Sequence, residues 1–314
     1  MSMLVLDKHN TNQYDSLPKG WAYFAIHGKE GILYSGYTAK LSLRMQVLES
    51  KANDNALYAE MLHQATKLEY TLHSTALSAL MHFKASLFDA LPIYQHRLNS
   101  WDSYAYLALD AHRMPFISIT EHTNDDWLYL GPFRSRFFLS DVIDIYTRIL
   151  KLPACESQSY PCEKNPQDRC RGWCLNLLKQ KPISEEYSLD KLDSLLKEAF
   201  LHPENGILEM VQKTRDDYNN NLEFHKAGLL DDEIELLEKY RDWLIFLYNA
   251  KNIDFENEVL SVQKGKITRF IYQDREYNFP SDSTSYRKNE ALALNMETVD
   301  ESRIIYDYLR KREQ

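Results

Sequence analysis

Gly20-Trp21-Ala22-Tyr23-Phe24-Ala25-Ile26-His27-Gly28-Lys29-Glu30-Gly31-Ile32-Leu33-Tyr34-Ser35-Gly36 is the stretch on which the reading of the fold turns. Residues 20–27 and 31–36 are rich in aromatic and β-branched side chains, which suit a pleated surface. They meet at a short Gly-Lys-Glu-Gly turn, so the stretch predicts a β-hairpin. Outward from it, residues 39–50 and 54–65 carry Leu and Met at helical spacing. Residues 67–72 alternate like a strand, and residues 75–91 are apolar nearly all round, as a buried helix is. The order strand, strand, helix, helix, strand, helix predicts a small α/β (α+β) domain with a three-stranded sheet over residues 16–100.

Further along, strands are expected at 104–108, 115–119 and Leu128–Phe133, then a helix at 140–150. All four cysteines follow. Residues 203–249 alternate charged and apolar side chains at helical period and predict an antiparallel helical pair. Residues 258–263 and 266–273 flank Lys264-Gly265 and predict a β-hairpin. Residues 281–290 are polar and read as a loop, and 299–311 as an amphipathic helix. The expected organisation is therefore the small α/β domain (16–100), linker strands with the cysteine segment (101–180), a helical region (185–250) and a C-terminal hairpin and helix (251–314).

Composition narrows the class. The 314 residues are 44% apolar and 26% charged, as soluble globular proteins are. Gly (9) and Pro (10) are scarce, which argues against long disordered linkers. No apolar run reaches the roughly 18–20 residues a bilayer span needs. The first ten residues carry Asp7 and no apolar core, unlike a secretory signal. The expectation is a cytoplasmic protein with no membrane partner. Net charge is −9, and residues 1–150 hold 13 Lys and Arg against 15 Asp and Glu. A chain that grips nucleic acid unaided usually shows a basic field. Any contact with DNA here must be local, or a partner must deliver it.

Cys155, Cys162, Cys170 and Cys174 have the spacing C-x6-C-x7-C-x3-C. Disulfides do not suit a reducing compartment. Structural zinc favours paired C-x2–4-C knuckles, which only Cys170 and Cys174 approach. An iron–sulfur cluster also takes four thiolates and tolerates uneven spacing. Spacing alone leaves zinc and iron–sulfur open.

The neighbours of these cysteines carry a resemblance. Pro161-Cys162 and Arg169-Cys170-Arg171-Gly172-Trp173-Cys174 resemble the P-C-x7-C-x-G-x-C segment of UvrC proteins, where four cysteines hold an iron–sulfur cluster. Other segments match the same family in order. Trp21-Ala22-Tyr23 and Tyr34-Ser35-Gly36 correspond to the two signatures of its GIY-YIG nuclease domain. Arg44 falls on its helix arginine, Leu91-Pro92-Ile93-Tyr94-Gln95 on its K-P-R-Y-N stretch, and Tyr129-Leu130-Gly131-Pro132-Phe133 on Y-F-G-P-F/Y. Leu222-Glu223-Phe224-His225-Lys226-Ala227, with Leu230, Asp232 and Ile234, is similar to the UVR motif L-E-F-E-x-A-A-x-L-R-D-x-I. In length the chain looks like shortened relatives such as Cho.

The resemblance implies a protein of nucleotide excision repair that meets DNA. It also implies a 4Fe–4S cluster on Cys155, Cys162, Cys170 and Cys174, and a UvrB-like partner docking on residues 205–250. Phe224, Ala227 and Leu230 are expected to face a core. GIY-YIG enzymes hydrolyse a phosphodiester by in-line attack of water. A tyrosine takes the proton, an arginine steadies the phosphoryl oxygens, and one Mg2+ or Mn2+ held by a glutamate steadies the leaving oxygen. Those roles would fall on Tyr23, Tyr34 and Arg44. Ordinary packing competes with them, since the chain has 21 tyrosines.

The chain departs from the family where the metal should bind. The glutamate position is Phe83, flanked by His82 and Lys84, the lysine after the second signature is Tyr37, and the asparagine near Pro92 is Gln95. The expected function is therefore a UvrC-like repair protein with a degenerate nuclease site. The alternative is an active endonuclease with a rearranged metal site using Glu60 or Glu69.

Overall fold

The computed structural model describes residues 2–7, 13–98, 101–152, 170–177, 188–280, 288–290 and 292–312. It is a mixed α/β structure and divides into two compact units. The first comprises Met1–Asp102, Asn252–Asp282 and Asp300–Gln314, and the second Ser103–Lys251 and Ser283–Val299.

In the first unit, β2 (Trp21–His27) and β3 (Ile32–Thr38) form the expected hairpin, and β4 (Lys67–His73) pairs antiparallel with the other edge of β2. The sheet has four strands rather than three, because β1 (Ser2–Val5) adds to β4, giving the order β1-β4-β2-β3. Central β2 is buried on both faces, which explains its unbroken apolar run Ala22–Ile26. α1 (Leu41–Asp54) and α2 (Ala56–Gln64) cover one face, with Leu41, Met45 and Leu48 at i, i+4, i+7 packed on Phe24, Ile26 and Tyr34. The side chain of Asn55 caps α2 by accepting from Leu57 N–H.

α3 (Ala76–Asp89) covers the opposite face, and a Thr75/Ser78 capping box fixes its start. The far side of α3 packs on a second sheet of order β11-β10-β9-β8: β8 (Phe255–Glu256), β9 (Leu260–Gln263), β10 (Lys266–Tyr272) and β11 (Arg275–Asn278). Leu77, Leu80, Met81 and Ala85 share one core with Leu260, Val262, Ile267, Phe270, Ile304 and Ile305. The last two belong to α9 (Val299–Arg310). The C-terminal hairpin and helix are thus built onto the helix that follows β4.

The second unit holds β5 (Ala105–Leu109), β6 (Ile117–Thr120), β7 (Leu128–Phe133) and β12 (Leu292–Ala293) in the order β12-β7-β5-β6, with α4 (Arg136–Ile149) started by Ser135. α5 (Trp173–Leu177) and α6 (Leu189–Leu201) lead to the helical pair α7 (Ile207–Asn220) and α8 (Phe224–Ala250). Ala227, Leu230, Ile234, Leu237, Tyr240, Leu244 and Leu247 form the buried stripe of α8. Tyr240 stacks on Phe133 (5.5 Å between centroids) and donates to Phe200 O at 2.8 Å. Among the described residues, no helix is long and apolar enough to cross a membrane.

Candidate functional site

Register decides where the two signature tyrosines point. Tyr23 pairs with Tyr37, and Tyr34 with Ile26. Side chains alternate along a strand, so Tyr23 and Tyr37 face α3 while Tyr34 faces α1. The two tyrosines therefore lie on opposite faces of the sheet.

On the α1 face, Arg44 projects from one turn into the helix and its Nη2 donates to the Tyr34 hydroxyl at 3.1 Å. The structure thus brings together two of the three residues assigned by resemblance. Tyr34 is 2% exposed and Arg44 half-buried. Buried Tyr58, which sequence reasoning did not single out, joins them. Its hydroxyl is pushed up to about 12 by burial and by the nearby Tyr34 and Asp102, against the opposing pull of Arg44. Asp102 is paired with Lys51 at 2.6 Å. The signature glycine has a packing role here. A Cβ on Gly36 would meet the Phe24 ring at 2.9 Å, so only glycine lets that ring lie against β3.

On the α3 face, the Tyr23 hydroxyl is 2.7 Å from Ser86 Oγ, and its ring stacks on His82 with centroids 4.0 Å apart. Tyr23 is 3% exposed. Burial raises its pKa, and the charge of Glu69 adds to the shift although the Ser86 hydrogen bond opposes it. A base for water attack needs the reverse shift, so Tyr23 is not tuned for that role in this structure.

Phe83, where the family's metal carboxylate would fall, lies 5.4 Å from the Tyr37 ring. Both pack on the core shared with the C-terminal sheet. Next to them Lys84 Nζ meets Glu301 Oε2 at 2.7 Å and lies 4.7 Å from the Phe279 ring centroid. Glu301 Oε1 accepts the Ile267 N–H at 2.7 Å. Asp89 at the end of α3 is held by Arg275 at 2.6 Å. The two alternative carboxylates are also engaged. Glu60 accepts a hydrogen bond from the Tyr94 hydroxyl at 2.6 Å, and Glu69 pairs with Lys67 at 3.5 Å and lies 2.6 Å from His27 Nε2. A hard divalent cation needs a cradle of oxygen ligands, and an aromatic pair does not fit one. Gln95 Oε1 accepts from Ser35 N–H at 3.1 Å, tying the segment after Pro92 to β3.

Of the cysteine ligand set, Cys155 and Cys162, with Pro161 and Arg169, lie outside the described residues. Cys170 is buried, and its Sγ accepts the Gly172 N–H at 3.1 Å. Gly172 has φ +78°, and Cys174 sits in the first turn of α5. An N–H···S bond and a left-handed glycine between two thiols suit thiolates that bind a metal or cluster.

The helical hairpin departs from expectation at one residue. Ala227 and Leu230 are buried, but Phe224 is 64% exposed and Leu222 73% exposed at the turn between α7 and α8. The buried stripe of α8 begins at Ala227, three residues after Phe224, leaving Phe224 in the first turn beyond the packed surface.

The chain is similar to proteins named UvrABC system protein C. That of Methanosphaera stadtmanae is 25% identical over 229 residues, covering 71% of this chain and 37% of that protein. That of Methanococcus maripaludis is 20% identical over 273 residues, 83% and 50% of the two chains. That of Petrotoga mobilis is 25% identical over an alignment of 327 positions, 98% of this chain and 56% of its relative. The chain thus spans between about a third and just over half the length of these relatives. No family model matches it, and no solved structure does.

Proposed function

We propose that this chain is a UvrC-like DNA-repair protein of nucleotide excision repair whose nuclease site is degenerate. It keeps the scaffold, the cysteine segment and a docking hairpin, and it acts by binding DNA and its repair partners. The observation that carries the degenerate reading is the Tyr37–Phe83 pair, packed under the C-terminal sheet where a hydrolytic site needs a lysine and a metal carboxylate. Removing one preorganised electrostatic donor from an active site typically costs about 10²–10³ in rate. Here the metal ligand is gone, and the Tyr23 hydroxyl is buried and hard to ionise. The similarity to UvrABC system protein C supports the repair assignment.

The cysteine segment would hold a 4Fe–4S cluster through Cys155, Cys162, Cys170 and Cys174. Such a cluster supplies a structural crosslink and an electron-transfer centre. The exposed Leu222 and Phe224 at the α7–α8 turn would meet a UvrB-like protein.

A second reading, an active endonuclease with a rearranged metal site, is favoured by one observation, the intact Arg44–Tyr34 hydrogen bond. Incision of a lesion-bearing duplex in Mg2+ or Mn2+, with UvrA- and UvrB-like proteins present, separates the two. The degenerate reading expects binding without nicking. Nicking that disappears in Arg44→Ala would overturn it. For the cluster, protein prepared without oxygen should contain iron and acid-labile sulfide, and zinc without iron would exclude it.

A further inference from the structure

β4 ends at His73, and α3 starts two residues later at a hydrogen-bonded capping box in which Ser78 N–H donates to Thr75 Oγ1 at 3.1 Å. That fixed turn brings His82, nearly two turns into α3, back over the strand. His73 Nε2 and His82 Nδ1 lie 3.0 Å apart. The second ring is held from both sides, stacked on Tyr23 at 4.0 Å and on Tyr272 at 5.2 Å. Neither the resemblance nor the proposed repair role uses this pair.

The geometry suits a metal. Imidazole–zinc bonds are about 2.0–2.1 Å, so two neighbouring nitrogens on one ion sit about 3.0–3.4 Å apart. Both residues are half-buried, leaving a path to solvent. Two nitrogen donors, with no third His, Cys, Asp or Glu grouped with them among the described residues, select borderline ions over Mg2+ or Ca2+.

We infer that His73 Nε2 and His82 Nδ1 form a two-histidine site for a nitrogen-preferring divalent cation of the zinc type. The ion takes the place of the hydrogen bond between the rings: the shared proton moves through solvent to the other nitrogen of its own ring, both rings stay neutral, and water completes the coordination. The site shares no residue with the cysteine segment and does not depend on DNA incision.

The test is zinc titration of the full chain, with its cysteine segment as purified, watched through the ring signals of 15N-labelled histidine. This readout ignores zinc taken up by thiols. The His73 and His82 signals should move saturably, and His73→Asn should weaken that response by roughly tenfold or more. His82→Asn should abolish the response of His73, with the melting temperature recorded to show that the variant folds. Ring signals unmoved by zinc, or a His82 response that survives His73→Asn unchanged, would overturn the site, even if zinc binds elsewhere.

Discussion

The Phe83 and Tyr37 rings meet across the α3–β3 interface, tilted by 55° with centroids 5.4 Å apart. The contact makes this corner of the unit apolar. Phe83→Ala should destabilise the protein by about 1–3 kcal/mol, less than a fully enclosed ring because Phe83 is only half-buried. Phe83→Glu should cost more and restore no incision, since it places a carboxylate in an aromatic core. Urea denaturation and the incision assay read the two outcomes.

Glu301 bridges three elements, with one oxygen on Lys84 of α3 and the other on the Ile267 N–H of β10. The Lys84 and Glu301 side chains are 16% and 11% exposed. Glu301→Ala leaves a nearly buried ammonium and an orphaned amide, and should cost about 2–4 kcal/mol. Glu301→Gln keeps the acceptor for Ile267 and should lose less. A double-mutant cycle with Lys84→Met, read by chemical denaturation, should show coupling above about 1 kcal/mol.

His82 should make the protein less stable in mild acid. Its folded-state pKa is about 4 against an ordinary 6.5, chiefly because the ring is buried. Between those values the unfolded chain binds a proton that the folded chain does not, so stability falls as pH drops from about 6.5 to 4 and then levels off. His73 shifts the same way. The ring is only partly buried, so His82 contributes about 1–2 kcal/mol over the window. Denaturation at pH 7 and pH 5 in a chelator should show the loss, and His82→Gln should flatten it.

Gly36→Ala should lower stability by about 1–3 kcal/mol, because the new Cβ meets the fully buried Phe24 ring at 2.9 Å. Pairing it with Phe24→Leu should recover part of the loss, since the smaller side chain makes room. Thermal melts of the single and double variants read this.

Phe224→Asp should leave stability within about 0.5 kcal/mol, since the ring is 64% exposed. It should weaken binding of a UvrB-like protein measurably by calorimetry. Unchanged affinity would remove the α7–α8 turn from the docking surface.

Local signals carried much of this architecture. The aromatic and β-branched run through β2 and β3, the Leu41–Met45–Leu48 spacing of α1 and the Lys264-Gly265 turn each specify structure over a few residues. β1 escaped notice because four residues, Ser2–Val5, show no period of their own and take their order from β4. α6 was legible in retrospect, with Ser188 capping a helix that buries Leu192, Leu196 and Phe200. The Arg44–Tyr34 contact spans ten residues and follows from a strand running into a helix. The partners of α3 do not follow in that way. Asp89 meets Arg275 across 186 residues of sequence, and no local pattern announces such a pairing. Phe224 departs from the inward position its motif implies, because the buried stripe on α8 starts one turn later, at Ala227.

The packing of α3 also bears on how the molecule is made. Its outer face, Leu77, Leu80, Met81 and Ala85, shares a core with Leu260, Val262, Ile267, Phe270, Ile304 and Ile305, far along the chain. During synthesis the first hundred residues emerge with that face bare, and it stays bare until some two hundred more have left the ribosome. A fragment cut near residue 102 would keep it bare permanently. The part built on β1–β4 is therefore no detachable module: residues 252–282 and 300–312 complete its core.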